Sequence, residues 1–217
     1  QRVCVPAGGG GRGRVVVVGG ATVGGAGRTA VVQWLGEQAL AAGLQVAVVG
    51  HGYRASARGR VPPGGDPRFG DDAALLAAAL PSAWIETGRR AAVAARLAQR
   101  HDLVLTDGGL LDPAVAADRV LAVWDCTSSP EVVPAGPARV PLSRLPAAVV
   151  RWAHRVDEPG AVVPRGAQVY SRVVAKAVWA PGGGRLPLAW LQGRRVRVAC
   201  GIGRPGSFLH TLARLGA

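Results

Sequence analysis

Methionine is absent from the sequence, so the residue that starts translation lies outside it, and the N-terminus is expected to be processed, trimmed or part of a longer chain. Lysine is nearly absent too. Lys176 is the only one, and the other basic residues among the 26 are all arginine. Long apolar runs are missing: no stretch approaches the roughly 20 residues needed to span a bilayer, and no charged-then-apolar signal segment opens the chain. A soluble or peripheral protein is therefore expected. The three cysteines, Cys4, Cys126 and Cys200, are far apart, odd in number and without a Cys-x-x-Cys pair. That argues against a disulfide framework or a cysteine zinc site and leaves them as small buried hydrophobes in a reducing cytosol. The four histidines, His51, His101, His154 and His210, show no metal-ligand spacing and read as structural or solvated. His51 stands apart because it follows the second apolar run.

What is present suits a globular protein. With 217 residues, 49% of them hydrophobic and 18% charged, the chain can bury one substantial core, or one core and a smaller one. The formal charge of +13 suits an anionic partner such as a phosphorylated lipid or a membrane surface, although heavy use of Ala, Gly, Val, Pro and Arg is equally consistent with compositional bias. The basic residues are not interleaved with aromatics and form no recognition motif, so no nucleic-acid partner is expected.

After a glycine-rich opening, residues 15–18 form a β-branched run ending in Gly19 and Gly20, as a buried parallel strand would. A loop follows, and from Thr29 the apolar positions Val32, Leu35, Ala39 and Leu40 recur at helical spacing, with Gly43 placed as a C-terminal glycine stop. The alternation continues with a strand over 44–49, a helix over 72–80, a strand over 83–86, a helix over 89–100, and strands over 103–106 and 120–124. This is an α/β pattern with a mostly parallel sheet and helices on both faces. Residues 54–68 and 130–146 read as surface loops. The last third, with a turn at 182–184, a strand over 195–199 and a helix over 207–215, reads as a smaller α/β unit, dividing the chain into 1–157 and 158–217.

The segment Thr22-Val23-Gly24-Gly25-Ala26-Gly27-Arg28-Thr29 lies between strand and helix, the setting in which a P-loop wraps phosphates with backbone N–H groups. Its glycines allow close approach to a phosphate, and Thr29 would offer a hydroxyl to Mg²⁺. Arg28 stands where a P-loop has lysine, and its planar fork is bulkier than an ammonium and aims its donors differently. A glycine-rich turn without a nucleotide is the alternative. Asp107 ends the apolar run over 103–106 as a Mg²⁺-holding aspartate would, or as a turn residue before Gly108 and Gly109. Asp71 and Asp72 precede a helix, so one is expected to cap it, unless Asp71 faces the phosphate site as a base.

Together the 22–29 loop, the Gly52-Tyr53 pair, Gly70-Asp71-Asp72 and Thr106-Asp107-Gly108-Gly109-Leu110 are similar in order and spacing to the motifs of the tetraacyldisaccharide 4′-kinases. Pro134-Ala135-Gly136-Pro137-Ala138-Arg139-Val140-Pro141-Leu142-Ser143-Arg144-Leu145 resembles that family's Pro-Ala-Gly-Pro-Leu-Arg-Glu-Pro-Leu-Ser-Arg-Leu signature. Gly201-Ile202-Gly203-Arg204-Pro205, with Phe208, resembles its Gly-Ile-Gly-Asn-Pro segment. The likeness spans about residues 15–216, and the family's Thr-Val-x-Gly-x-Gly loop start makes Thr22 normal.

The resemblance implies a P-loop NTPase-like α/β/α core with a smaller C-terminal unit, ATP and Mg²⁺ as cofactors, and transfer of the γ-phosphoryl group to the 4′-hydroxyl of a lipid A disaccharide precursor. It implies a monomer at the cytoplasmic face of the inner membrane, peripheral or, without the family's apolar N-terminal helix, cytoplasmic. It assigns the phosphate loop to Thr22, Val23, Gly24, Gly25, Ala26, Gly27, Arg28 and Thr29, Mg²⁺ to Thr29 and Asp107, and catalysis to Asp71 and Arg139. The family's catalytic histidine belongs to an Asp-His segment expected beyond Ala217. Arg28, Gly108 in place of a second aspartate, Leu111-Asp112 in place of Gln-His, and Val140 in place of glutamate depart from the pattern. Two readings stay open: a lipid kinase, and a non-catalytic relative that binds nucleotide, lipid or a protein partner.

Overall fold

A computed structural model describes residues 3, 4, 6, 12–202 and 205–217; Gly203 and Arg204 of the late motif and Gly8 to Gly11 of the opening lie outside these. The valine run forms β1 (Arg14–Gly20), which pairs in parallel with β5 (Leu103–Asp107) on one edge and β6 (Arg119–Asp125) on the other. β2 (Val46–Gly50) lies beyond β5 and β4 (Trp84–Thr87) beyond β2, both parallel. On the other side come β7 (Val149–His154) and β8 (Val169–Ser171), parallel again. Only the short β3 (Gly59–Arg60) runs antiparallel, on the outer edge of β4, giving the order β3-β4-β2-β5-β1-β6-β7-β8.

Both faces of this sheet are covered, which is why its strands read as continuous apolar runs. Successive side chains alternate between the faces. Val18, Val46, Val48, Leu105, Val123 and Trp152 pack under α1 (Arg28–Ala41) and α2 (Asp71–Ala79). Val15, Val17, Ala47, Val49, Val104 and Val120 pack on the opposite side with Ala94 and Leu97 of α3 (Arg90–Leu97). Gly43 ends α1 as expected: its φ is +79°, and the N–H groups of Gly43 and Leu44 donate to Leu40 and Ala39 at 3.0 Å each.

Past β8 come a hairpin of β9 (Val178–Trp179) and β10 (Arg185–Leu186), turning at Gly182 and Gly183, and the helix α4 (Pro205–Arg214). The strand expected over 195–199 is not formed. Its Arg/Val alternation has the right period, but both faces stand largely in solvent and no neighbouring strand pairs with it. Cys4 and Cys126 are buried as expected, whereas Cys200 is exposed. Among the described residues no helix is long and apolar enough to cross a membrane.

Leu76 of α2 is fully buried against this sheet. Leu76→Ala should lower the unfolding free energy by about 2–5 kcal/mol, read as a fall in the urea midpoint at unchanged slope.

Candidate active site

At the C-terminal end of β1 the chain turns through Gly24, Gly25 and Gly27, with φ of +67°, +59° and +78°, a region only glycine enters freely. A side chain placed on Gly24 or Gly25 would meet nothing within 4 Å, so the outer wall of the loop is open. α1 then starts at Arg28 with no side-chain cap at Gly27 and no acidic residue in its first turn. Its leading N–H groups are thus left for water or an anion. Residues 131–139, part of the stretch expected as a surface loop, also brace this turn: Val23 N–H donates to Pro137 O at 2.6 Å, and Arg139 N–H to Ala21 O at 2.8 Å.

Leu105 and Asp107 share a face of β5, and that face looks toward α1 and α2. Asp107, only 3% exposed, therefore emerges beside the start of α1. The Arg28 guanidinium bonds Asp107 through Nε and reaches Asp72 Oδ2 through Nη2 at 3.1 Å. The Thr29 hydroxyl lies 3.2 Å from Asp107 Oδ2 and 3.3 Å from Asp72 Oδ1. Burial pushes the Asp107 carboxyl up from its ordinary value, opposed by the charge and hydrogen bond of Arg28. For Arg28, burial works against the charge, but Asp107 outweighs it and holds the guanidinium above its ordinary value.

Arg28, Thr29 and Asp107 are thus brought together, and Asp72 joins them. The expectation that an aspartate caps α2 is corrected: the cap position is Gly70, at φ 95° and ψ 148°, and no side chain bonds there. That glycine conformation starts the helix at Asp71, and Asp72 turns to the Arg28 charge and the Thr29 hydroxyl. Asp71 stands exposed at the first position of α2. Arg139 lies at the opposite end of the loop, its Nε donating to Thr22 O at 3.4 Å.

Two further residues border the site. Arg90 Nη1 donates to Asp112 Oδ2 at 3.1 Å, and a Cβ on Gly108 would lie 3.2 Å from Arg90 Nη2 and 3.8 Å from Arg28 Nη1. A carboxylate at 108 would sit between these guanidinium groups; Asp112 meets Arg90 from another position. His51 is pushed below its ordinary pKa by burial and by the charges of Arg90 and Arg58. Nothing in the spacing of the sequence singled out Arg90.

The ATP and Mg²⁺ implied by the resemblance fit these groups. The open, uncapped loop offers N–H donors of the kind phosphates take, and Thr29, Asp107 and Asp72 offer hard oxygen ligands. Among the described residues no group of three or more His, Cys, Asp or Glu is placed so that it could hold a metal ion by itself. A cation here would accordingly share its coordination with phosphate oxygens and water, as Mg²⁺ commonly does.

A family model described as LpxK, tetraacyldisaccharide-1-P 4′-kinase, matches residues 12–217. The chain belongs to the tetraacyldisaccharide 4′-kinase family. Among its relatives in this family, a tetraacyldisaccharide 4′-kinase of Azoarcus sp. (strain BH72) is 38% identical over 216 residues, covering 94% of this chain and 62% of the relative. One of Parvibaculum lavamentivorans (strain DS-1 / DSM 13023 / NCIMB 13966) is 35% identical over 230 residues, covering 100% of this chain and 62% of that one. The chain thus spans less than two thirds of the length of these relatives. The crystal structure of LpxK from Aquifex aeolicus in complex with ATP superposes with a TM-score of 0.71 at 21% identity, over 94% of this chain and 68% of that one, which bears on the fold.

Arg28→Ala would leave the buried Asp107 carboxylate without its cation, a loss of about 1–3 kcal/mol near neutral pH. Without Arg28 only the Thr29 hydrogen bond is left to oppose the burial, and the Asp72 charge, that raise the Asp107 pKa above its unfolded value. The folded variant then binds a proton more readily than the unfolded one, so its deficit against wild type should shrink as pH falls. Paired urea titrations from neutral to acid pH read this out.

Proposed function

We propose that the protein is an ATP-dependent, Mg²⁺-requiring kinase that phosphorylates the 4′-hydroxyl of a lipid A disaccharide precursor. The observation that carries this reading is the meeting of Thr29, Asp107 and Asp72 beside an open glycine loop at the start of α1. Family membership supports it independently. In this reading the 22–29 loop holds the phosphates through N–H groups other than that of Val23, which is given to Pro137 O, and Thr29 and Asp107 hold Mg²⁺. When bound there, the ion would supply positive charge to offset that of the phosphates. The 4′-hydroxyl oxygen attacks the γ-phosphorus, the bond to the β–γ bridging oxygen breaks, and ADP leaves with its electron pair. Asp71 accepts the hydroxyl proton, and Arg139 offsets phosphate charge from the opening of the loop. The charge of +13 suits an anionic lipid, and the protein acts as a monomer at the cytoplasmic face of the inner membrane.

A second reading, a non-catalytic relative that binds nucleotide, lipid or a protein partner, is favoured by two observations. Arg28 is already engaged by Asp107 and Asp72, and position 108 carries no carboxylate.

Calorimetry with Mg²⁺-ATP on wild type, Arg28→Lys and Thr29→Ala tests the first reading. Wild type should bind, Arg28→Lys should bind more tightly, and Thr29→Ala should weaken binding by about tenfold, the scale of one lost hydrogen bond to a charged group. Binding without turnover of the lipid disaccharide would leave the second reading standing. If none of the three binds ATP, the kinase reading is lost.

A further inference from the structure

His154, the last residue of β7, is 5% exposed, and its ring lies directly against Gly27 of the phosphate loop. Trp152 and His154 share the strand face that looks toward α1, which brings the ring to the start of that helix. A side chain on Gly27 would run into the imidazole at Cδ2 and Nε2.

The neighbours of the ring set where its proton sits. Ser171 Oγ is 2.7 Å from Trp152 Nε1 and 2.9 Å from His154 Nδ1. An indole N–H can only donate, so it takes one lone pair of the serine, whose own proton is free to go to Nδ1. In that arrangement the imidazole proton is on Nε2, on the side of the loop. Burial, then the Arg155 charge, hold the ring below its ordinary pKa, against weaker upward pulls from Asp125 and Asp157, which favours the neutral form. The Cδ2–Nε2 edge of the ring faces Gly27, so Nε2 lies where a ligand held in the loop would meet it.

The order of strands says which part of that ligand. Asp107, Asp72 and Thr29 stand on the β5 side of β1, whereas His154 stands on the opposite side, two strands away and roughly 10 Å across the sheet. Phosphates running along the loop toward Asp107 leave the other end of a nucleotide over the ends of β6 and β7.

We infer that His154 is a nucleotide-binding residue, whose Nε2–H donates a hydrogen bond to the nucleoside portion of a nucleotide held in the 22–29 loop. The inference rests on the reading of that loop as a nucleotide site. It assigns His154 to telling a nucleotide from a bare polyphosphate.

The test compares Mg²⁺-ATP with inorganic tripolyphosphate by calorimetry on the full chain, using wild type, His154→Leu and His154→Gln, with thermal melts to establish that each variant is folded. His154→Leu should weaken ATP by about tenfold and leave tripolyphosphate unchanged, the scale expected for one buried donor. His154→Gln, whose amide nitrogen reaches the place of Nε2, should restore most of the loss. In the wild type, the ¹⁵N resonance of His154 Nε2 should move with ATP and not with tripolyphosphate. Equal weakening of both ligands in His154→Leu, or none, overturns the inference while nucleotide binding stands. A wild type that binds neither ligand sinks the nucleotide reading and the His154 assignment with it.

Discussion

Strand β1 is hydrogen-bonded along both edges, to β5 and β6, and is packed on both faces. It cannot slide without breaking two ladders, and it cannot turn over without exposing valines on one side or the other. The loop that leaves it is therefore anchored at a fixed point, and α1 starts from there. The parallel partner β5 ends at Asp107 opposite Val18, two residues before β1 ends at Gly20, so the buried carboxylate and the Thr29 hydroxyl meet by register. The same parallel arrangement brings the ends of β6 and β7 to the other flank of the loop.

Within that frame, Arg28 determines the charge of the site. An ammonium would sit as a single point; the guanidinium spans two carboxylates, with Nε on Asp107 and Nη2 on Asp72. Its remaining nitrogen, Nη1, faces the space over Gly108. The fork thus keeps donors to spare while it neutralises a carboxylate that burial would otherwise drive toward its protonated form. Gly108 fits the same arrangement, because Arg28 and Arg90 both extend into the room a side chain there would use.

Much of this was legible beforehand where the signal was local. The valine run, the glycine stop at Gly43, the alternation of strands and helices and the aspartate ending β5 each follow from a few consecutive residues. What escaped depends on contacts distant in sequence. Asp72 and not a helix cap was the outcome at α2 because the dihedral angles of Gly70, invisible in spacing, set where the helix begins. β8 is three residues long, too short to show a period. The alternation over 195–199 carried a strand's pattern with no core for either face. His154 read as a structural or solvated histidine because its contact with Gly27 joins the end of β7 to the loop after β1, two strands away in the sheet.

The brace on the phosphate loop bears on the order in which the protein takes shape. Thr22 and Arg139 are separated by 117 positions, yet the turn after β1 is tied down by residues 137–139. While the chain emerges from the ribosome, β1 and α1 can form early, but the turn between them has no clamp until much of the domain has been made. Such long-range closure comes late, because loop entropy must be overcome first. The segment that gives the molecule its cradle is thus the part whose architecture is finished among the last.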